Sequence, residues 1–205
     1  MTMILPIDID LVKGFLAPDE GAALYQHALQ ASKLGPCLEI GSYCGKSTVY
    51  LGAACKKNQR TLFALDHHRG SEEHQLGEEY HDPELYDNSA QLMDSFKVFR
   101  ATMRQANLDE TVVPIVSSSA IASRDWATPL GMVFIDGGHS ELAAQTDYRS
   151  WAAFIKPGGI LAIHDIFPNP AEGGQAPYNI WKLAQASGLF DELTTVNTLG
   201  LFRRR

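Results

Sequence analysis

The sequence predicts an α/β protein: a doubly wound, mostly parallel seven-stranded sheet with a C-terminal antiparallel hairpin. Three observations lead there. From about residue 20 onward, segments of strand type alternate with segments of helix type, the signature of a parallel sheet covered by helices on both faces. The strand-type segments are short β-branched or apolar runs bounded by turn residues, as buried parallel strands are. The chain has 205 residues, 45% of them hydrophobic and 20% charged, which suits one sizeable core and excludes a disordered composition. One domain over residues 1–205 is expected, with no internal repeat and no linker-like stretch.

The elements follow in order. Pro18 to Lys33 reads as an amphipathic helix, with Leu24, Ala28 and Ala31 on its apolar face, and Gly35-Pro36 ends it. Cys37 to Ile40 is the first strand, and Gly41 to Ser47 turns into a helix that runs to about Lys56. A second strand, Thr61 to Leu65, leads into Asp66, and a long polar connection precedes a helix expected over Gln91 to Gln105. Val112 to Val116, Met132 to Ile135 and Ile160 to Ile163 are the next strands, with crossover helices from Ser119 and Ser140 between them. Pro177 to Ser187 is the last helix. Glu192 to Val196 and Leu199 to Arg203 then form a hairpin about Asn197-Thr198.

Charge and composition remove several classes of function. The net charge is −7 and the basic residues are scattered apart from Arg203, Arg204 and Arg205, so the chain lacks the electrostatic footprint that nucleic acid binding needs. No apolar run reaches membrane-spanning length, and Asp8 and Asp10 stand where a signal peptide would carry its basic and apolar regions. A cytoplasmic protein with no membrane partner is expected. Cys37, Cys44 and Cys55 are odd in number and lack C-x-x-C spacing, which fits reduced thiols and not a disulfide framework or a structural zinc site.

In doubly wound sheets ligands bind beyond the carboxyl ends of the strands, and the first such turn is Glu39-Ile40-Gly41-Ser42-Tyr43-Cys44-Gly45-Lys46-Ser47. Gly41 and Gly45 let backbone approach a ligand, and the helix after them presents free amides. The bland alternative is a turn needed only for strand-to-helix packing. A phosphate-binding P-loop needs one more residue between the two glycines. A dinucleotide fingerprint needs glycine where Tyr43 stands. Asp66, ending the second strand, is placed to bind a ribose in either case.

The segment Leu38 to Ser47 resembles the first motif of class I S-adenosylmethionine-dependent methyltransferases, particularly the catechol O-methyltransferase-like branch with its E-[LI]-G-x-Y-x-G-x-S turn. The resemblance extends through Asp66, Ser117 to Ala120, Phe134 to His139 and Gly158 to Asp165, and the wider group resembled is the small bacterial methyltransferases of the Methyltransf_24 type. It implies a Rossmann-like fold and S-adenosyl-L-methionine as cofactor. Glu39, Gly41, Ser42 and Ser47 would surround its methionine part, Asp66 would accept from both ribose hydroxyls, and Ser118, Ser119 and Ala120 would hold the adenine. Ala120 departs from the glutamine the family commonly has there. His67 and Asp136 complete the expected cofactor-binding set. Lys13-Gly14 echoes a family segment over the cofactor, but a solvated turn is the simpler expectation.

Val133-Phe134-Ile135-Asp136-Gly137-Gly138-His139 ends one strand in a carboxylate, and Ile160 to Ile163 delivers His164-Asp165 to the end of another. If the two strands are neighbours, Asp136 and Asp165 converge, a pairing that suits Mg²⁺ or a similar divalent ion. In the metal-dependent O-methyltransferases this pattern resembles, acids at these strand ends bind the ion, and His164 stands beside Asp165 as a softer third ligand. Alternatively Asp136 orients the cofactor or caps the next helix, and His164 is a satisfied buried histidine. His139 falls where the catechol branch carries a lysine thought to act as base, and an imidazole can take a proton near neutrality. Otherwise it precedes the Ser140 helix and faces solvent.

The connection after Asp66 holds His67, His68, His74 and His81 among carboxylates. A solvated acidic lid is expected there in preference to a second metal site. Loops 67–90 and 166–177 would form the pocket for a small-molecule acceptor. The expected activity is O-methylation of a hydroxyl, with Asp136 and His139 as the catalytic pair. A nucleotide-dependent oxidoreductase and a non-catalytic nucleoside- or metal-binding module are the competing classes. A homodimer remains open, and Trp126, Trp151 and Trp181 are assigned to packing.

Overall fold

The computed structural model describes residues 3–71 and 82–205. His74 and His81, expected in the acidic lid, lie outside these residues. The main sheet is formed by β1 (Cys37–Ile40), β2 (Leu62–Asp66), β5 (Val112–Val116), β6 (Leu130–Ile135), β7 (Ile155–Ile163), β8 (Phe190–Val196) and β9 (Leu199–Arg204), in the order β5-β2-β1-β6-β7-β9-β8. The first five of these strands in space run parallel, and β9 is antiparallel to both β7 and β8. Chain order therefore reverses on either side of β1, which makes its carboxyl end the crevice where such sheets bind ligands.

Helices α1 (Pro18–Ala31), α2 (Lys46–Lys57) and α3 (Phe96–Gln105) cover one face. Their apolar stripes, including Leu24, Tyr25, Val49, Leu51, Phe99 and Met103, pack with Cys37, Leu62, Met132 and Phe134 of the sheet. The one-turn α4 (Ser119–Ala122), α5 (Glu141–Trp151) and α6 (Ala176–Ala186) lie on the other face. There Trp151, Ile180 and Ala184 pack with Leu38, Val133, Leu161 and Phe202. Burial on both faces explains why β1 and β6 are apolar at nearly every position and do not alternate. Among the described residues no helix is long and apolar enough to cross a membrane.

Three expectations require correction. The helix placed over Gln91 to Gln105 begins only at Phe96. Gln91 adopts a left-handed conformation (φ 55°), and Leu92–Met93 (β4) pairs antiparallel with Tyr86–Asp87 (β3) in a small separate ribbon. Asp94 then accepts from the Phe96 amide at 2.9 Å and supplies the start signal. The crossover from Ser119 is a single helical turn. Strand β7 starts at Ile155, five residues before the expected Ile160, and carries Pro157-Gly158-Gly159 through a register shift opposite Leu130 and Met132. The tryptophans do pack: Trp126 meets Trp151 edge-on at 5.1 Å, and Trp181 lies 5.9 Å from Phe202.

Candidate active site

Strand register builds the site. Ile40 pairs with Leu65 on one side and with Ile135 on the other, and Ile135 pairs with Ile163. The next residues, Gly41, Asp66, Asp136 and His164, therefore emerge side by side along one edge of the sheet.

At β1 the chain turns sharply. Gly41 has φ 86°, and a Cβ there would overlap the backbone carbonyl of Asp136, whose carbon would be 2.6 Å away. Only glycine lets the two strand ends approach so closely. Beneath the turn, Glu39 is fully buried; one carboxyl oxygen accepts from the Thr48 hydroxyl at 2.6 Å and the other has no partner. Burial raises its pKa to about 8, helped by the negative charges of Asp136 and Asp66 and opposed by the Ser47 and Thr48 hydroxyls. The Ser42 hydroxyl is likewise buried and unpartnered. These orphaned atoms, with the Gly41 cradle, fit a polar group seated on the turn.

Asp66 holds the two sides of the crevice together. One of its oxygens accepts from the Tyr43 amide at 2.8 Å and the other from the His68 amide at 2.7 Å, and each oxygen retains a further lone pair for a diol. His67 is exposed, and its Nδ1 accepts from the Arg69 amide. The adjacent His68 is buried, with φ 58° and its Nδ1 2.8 Å from the Ser95 hydroxyl. Of the three residues expected at the adenine, Ser118, just before α4, and Ala120, within it, are exposed. Ser119 is instead turned into the core, where it accepts from Trp151 Nε1 at 3.1 Å. Asp147 of α5, which the sequence reading did not single out, is buried against Gly137, and burial raises its pKa to about 6.

The end of β6 meets the end of β7 in a cluster of charged groups. Ligand atoms of Asp136, His164 and Asp165 all lie within 4.8 Å of one another. His164 is buried. Its Nδ1 is 3.0 Å from Asp136 Oδ1 and 3.4 Å from Asp165 Oδ1, and its Nε2 is 3.0 Å from Glu20 Oε2. Burial opposes the imidazolium, but the Asp136 charge and the hydrogen bonds of Asp136, Asp165 and Glu20 hold its pKa well above the usual range. Burial pushes Asp165 up, yet hydrogen bonds from His139 and His164 hold it well below the ordinary carboxylate range. Asp165 also has φ 57°, a left-handed conformation uncommon for a residue other than glycine, as residues at functional sites often show. His139 Nε2 is 2.9 Å from Asp165 Oδ2. Asp136, His139 and His164 share one small depression with Pro177 and Ile180 of α6. Ser140 caps α5, accepting from the Ala143 amide, which removes the capping role considered for Asp136.

One residue outside the motifs contacts the cluster. Glu20 is buried, and burial works against its charge, but His164, the Thr198 amide and the Ala17 amide bring its pKa down to about 2. In sequence it reads only as an acid in the first turn of a helix. Lys13 was expected in a solvated turn; it instead pairs with Asp82 and Glu84, while the neighbouring Gly14 carbonyl accepts from Lys46.

A reversal of strand order at β1, a glycine cradle, a diol-accepting carboxylate and two acids at neighbouring strand ends define a Rossmann-like fold with a ligand site of the methyltransferase kind. The family model described as "Methyltransferase domain" matches residues 38–166, well over half of the chain. The chain belongs to this family, as the Leu38 to Ser47 motif implied, and membership sets the oxidoreductase reading aside. Solved structures share the fold. The O-methyltransferase NovP is 14% identical, with a TM-score of 0.69 over 90% of this chain and 78% of that one. The O-methyltransferase from Bacillus cereus, solved in complex with SAH, is 16% identical, with a TM-score of 0.63 over 95% and 85%. TomG from Streptomyces achromogenes, solved in complex with SAM, is 15% identical, with a TM-score of 0.56 over 95% and 92%.

Proposed function

We propose that the protein transfers the methyl group of S-adenosylmethionine to a hydroxyl of a small molecule, with a divalent ion at Asp136, His164 and Asp165. The observation that carries this reading is the row of strand ends, which sets the Gly41 cradle and Asp66 directly beside the charged cluster. The ligands named for the Bacillus cereus and Streptomyces achromogenes proteins support the choice of cofactor. When bound, the cofactor supplies an electrophilic sulfonium methyl, and the ion lowers the pKa of the acceptor hydroxyl.

The chain's own residues do the rest. Glu39, Gly41, Ser42 and Ser47 seat the amino-acid end of the cofactor, and Asp66 takes the ribose. Two carboxylates and one imidazole fit a divalent ion, and the nitrogen makes the set softer than the all-oxygen shell Mg²⁺ prefers, so Mn²⁺ competes with it. His139, oriented by Asp165, removes the proton from the acceptor hydroxyl. Loop 166–177 and the start of α6 hold the acceptor in line, since Pro177 and Ile180 line the same depression as His139.

One observation favours a metal-independent version of the same reaction: Nδ1 of His164 lies at hydrogen-bond distance from Asp136, so an imidazolium there already supplies positive charge. Incubation of labelled S-adenosylmethionine with a panel of hydroxylated small molecules, with and without a chelator and with Mg²⁺ or Mn²⁺ restored, tests both. Label transfer abolished by chelation and restored by the ion supports the metal-dependent reaction. Transfer that survives chelation supports the imidazolium. No transfer to any hydroxyl under either condition removes the proposal.

A further inference from the structure

We infer that Glu20 is a positioning residue for the strand-end cluster, holding the His164 ring by Nε2 so that Nδ1 faces Asp136 and Asp165. The inference rests on the divalent site proposed above. Glu20 lies on α1, 144 residues away from His164 in the chain, and with Thr198 it falls outside residues 38–166 that the family model matches.

The geometry is closed on every side. Glu20 Oε2 accepts from the Ala17 amide at 3.1 Å and faces His164 Nε2 at 3.0 Å. Its Oε1 accepts from both the amide and the hydroxyl of Thr198, each at 2.9 Å. The carboxylate is 3% exposed and His164 is 6% exposed, so water has little access to take over either role. Since the partners of Glu20 are donors, its position fixes the hydrogen of His164 on Nε2. An ion can then bind only at Nδ1, on the side of the two aspartates, where it replaces the hydrogen that faces Asp136 in the ion-free ring. A ligating histidine whose other ring N–H is given to a carboxylate is the usual way proteins fix ring orientation and raise ligand basicity. Glu20 links this ring to the start of α1 and, through Thr198, to the turn between β8 and β9. The hairpin and the amino-terminal helix thereby act on the site without touching the ligand.

Glutamine at position 20 keeps one acceptor oxygen and replaces the other with a donor, which one of the two sets of donors must then face. Titration of Mn²⁺ into the full chain by calorimetry should show E20Q binding about ten- to a hundredfold more weakly than the wild type. S-adenosylhomocysteine binding and the unfolding midpoint serve as controls for the Gly41 turn and for folding. Equal Mn²⁺ affinity in a folded E20Q overturns the inference and leaves the proposed function standing. A wild type that binds S-adenosylhomocysteine but neither Mn²⁺ nor Mg²⁺ overturns both the metal site and the role of Glu20. Should E20Q fail to fold, ¹⁵N spectra of the Mg²⁺-loaded wild type decide, with the His164 signal assigned by its loss in H164N. A proton on Nε2 with none on Nδ1 supports the positioning role; a proton on Nδ1, alone or together with one on Nε2, overturns it.

Discussion

Glu39→Gln separates the charge of one buried carboxyl from its shape. Glu39 is wholly buried, with one oxygen on Thr48 and the other unpartnered, and burial raises its pKa from 4.5 to about 8. Between those values the native state holds a proton that the unfolded chain has released, so stability falls as pH rises. The slope is about 1.4 kcal/mol per pH unit, for a total on the order of 5 kcal/mol at the upper limit. The contribution is fully present below about pH 4.5 and is lost by the time pH passes the native value. Glutamine carries no charge in either state. It costs about 1–3 kcal/mol for a buried amide without a partner, and that cost does not vary with pH. Urea unfolding of both proteins without ligand, from pH 5 to pH 8.5, should show the variant less stable at low pH and gaining steadily on the wild type as pH rises. A stability difference that stays constant across this range would refute the account of Glu39 as a protonated buried acid.

Gly41→Ala should lose S-adenosylhomocysteine binding in calorimetry and be destabilised by more than the roughly 1–2 kcal/mol that a left-handed residue costs, because the new methyl overlaps the Asp136 backbone; normal affinity would show that the turn is no cradle. His139→Ala should lower the maximal rate about a hundredfold or more while leaving cofactor and Mn²⁺ binding near wild type. An unaltered rate would exclude His139 as the base and leave the cluster beside it as the only activator.

Most of the architecture was legible because buried parallel strands and their crossover helices have distinct lengths and apolar patterns. The elements misjudged were those whose conformation depends on neighbours. Gln91 to Ser95 has no helix-breaking residue, and tertiary partners take it out of the helix: Leu92 and Met93 pair with Tyr86 and Asp87, and the Asp94 and Ser95 amides donate to the carbonyls of Leu85 and His68. Pro157-Gly158-Gly159 looks like a turn before a strand, yet strand β7 runs through it because the register shift beside β6 absorbs the extra residues. In the site, Gly41, Asp66, Asp136 and His164 stood out since each directly follows or ends a recognisable strand, and Asp165 stands one residue further on. The bond from Trp151 to Ser119 was not legible because a hydroxyl just after a strand carries no mark of whether it faces a ligand or the core. Glu20 and Asp147 did not stand out for a related reason: their partners are brought close only by the fold, and Glu20 resembles any acid opening a helix.

Calorimetric titration of S-adenosylhomocysteine into the wild type and Asp66→Ala tests the central claim most directly. Asp66 offers lone pairs to a diol from a carboxylate already fixed by the Tyr43 and His68 amides. The wild type should bind, NADH should not, and the variant should lose on the order of 1–3 kcal/mol of binding free energy with its charged acceptor. A folded wild type that ignores S-adenosylhomocysteine, or binds NADH in its place, would contradict the assignment of this sheet edge to a methyl-donor cofactor.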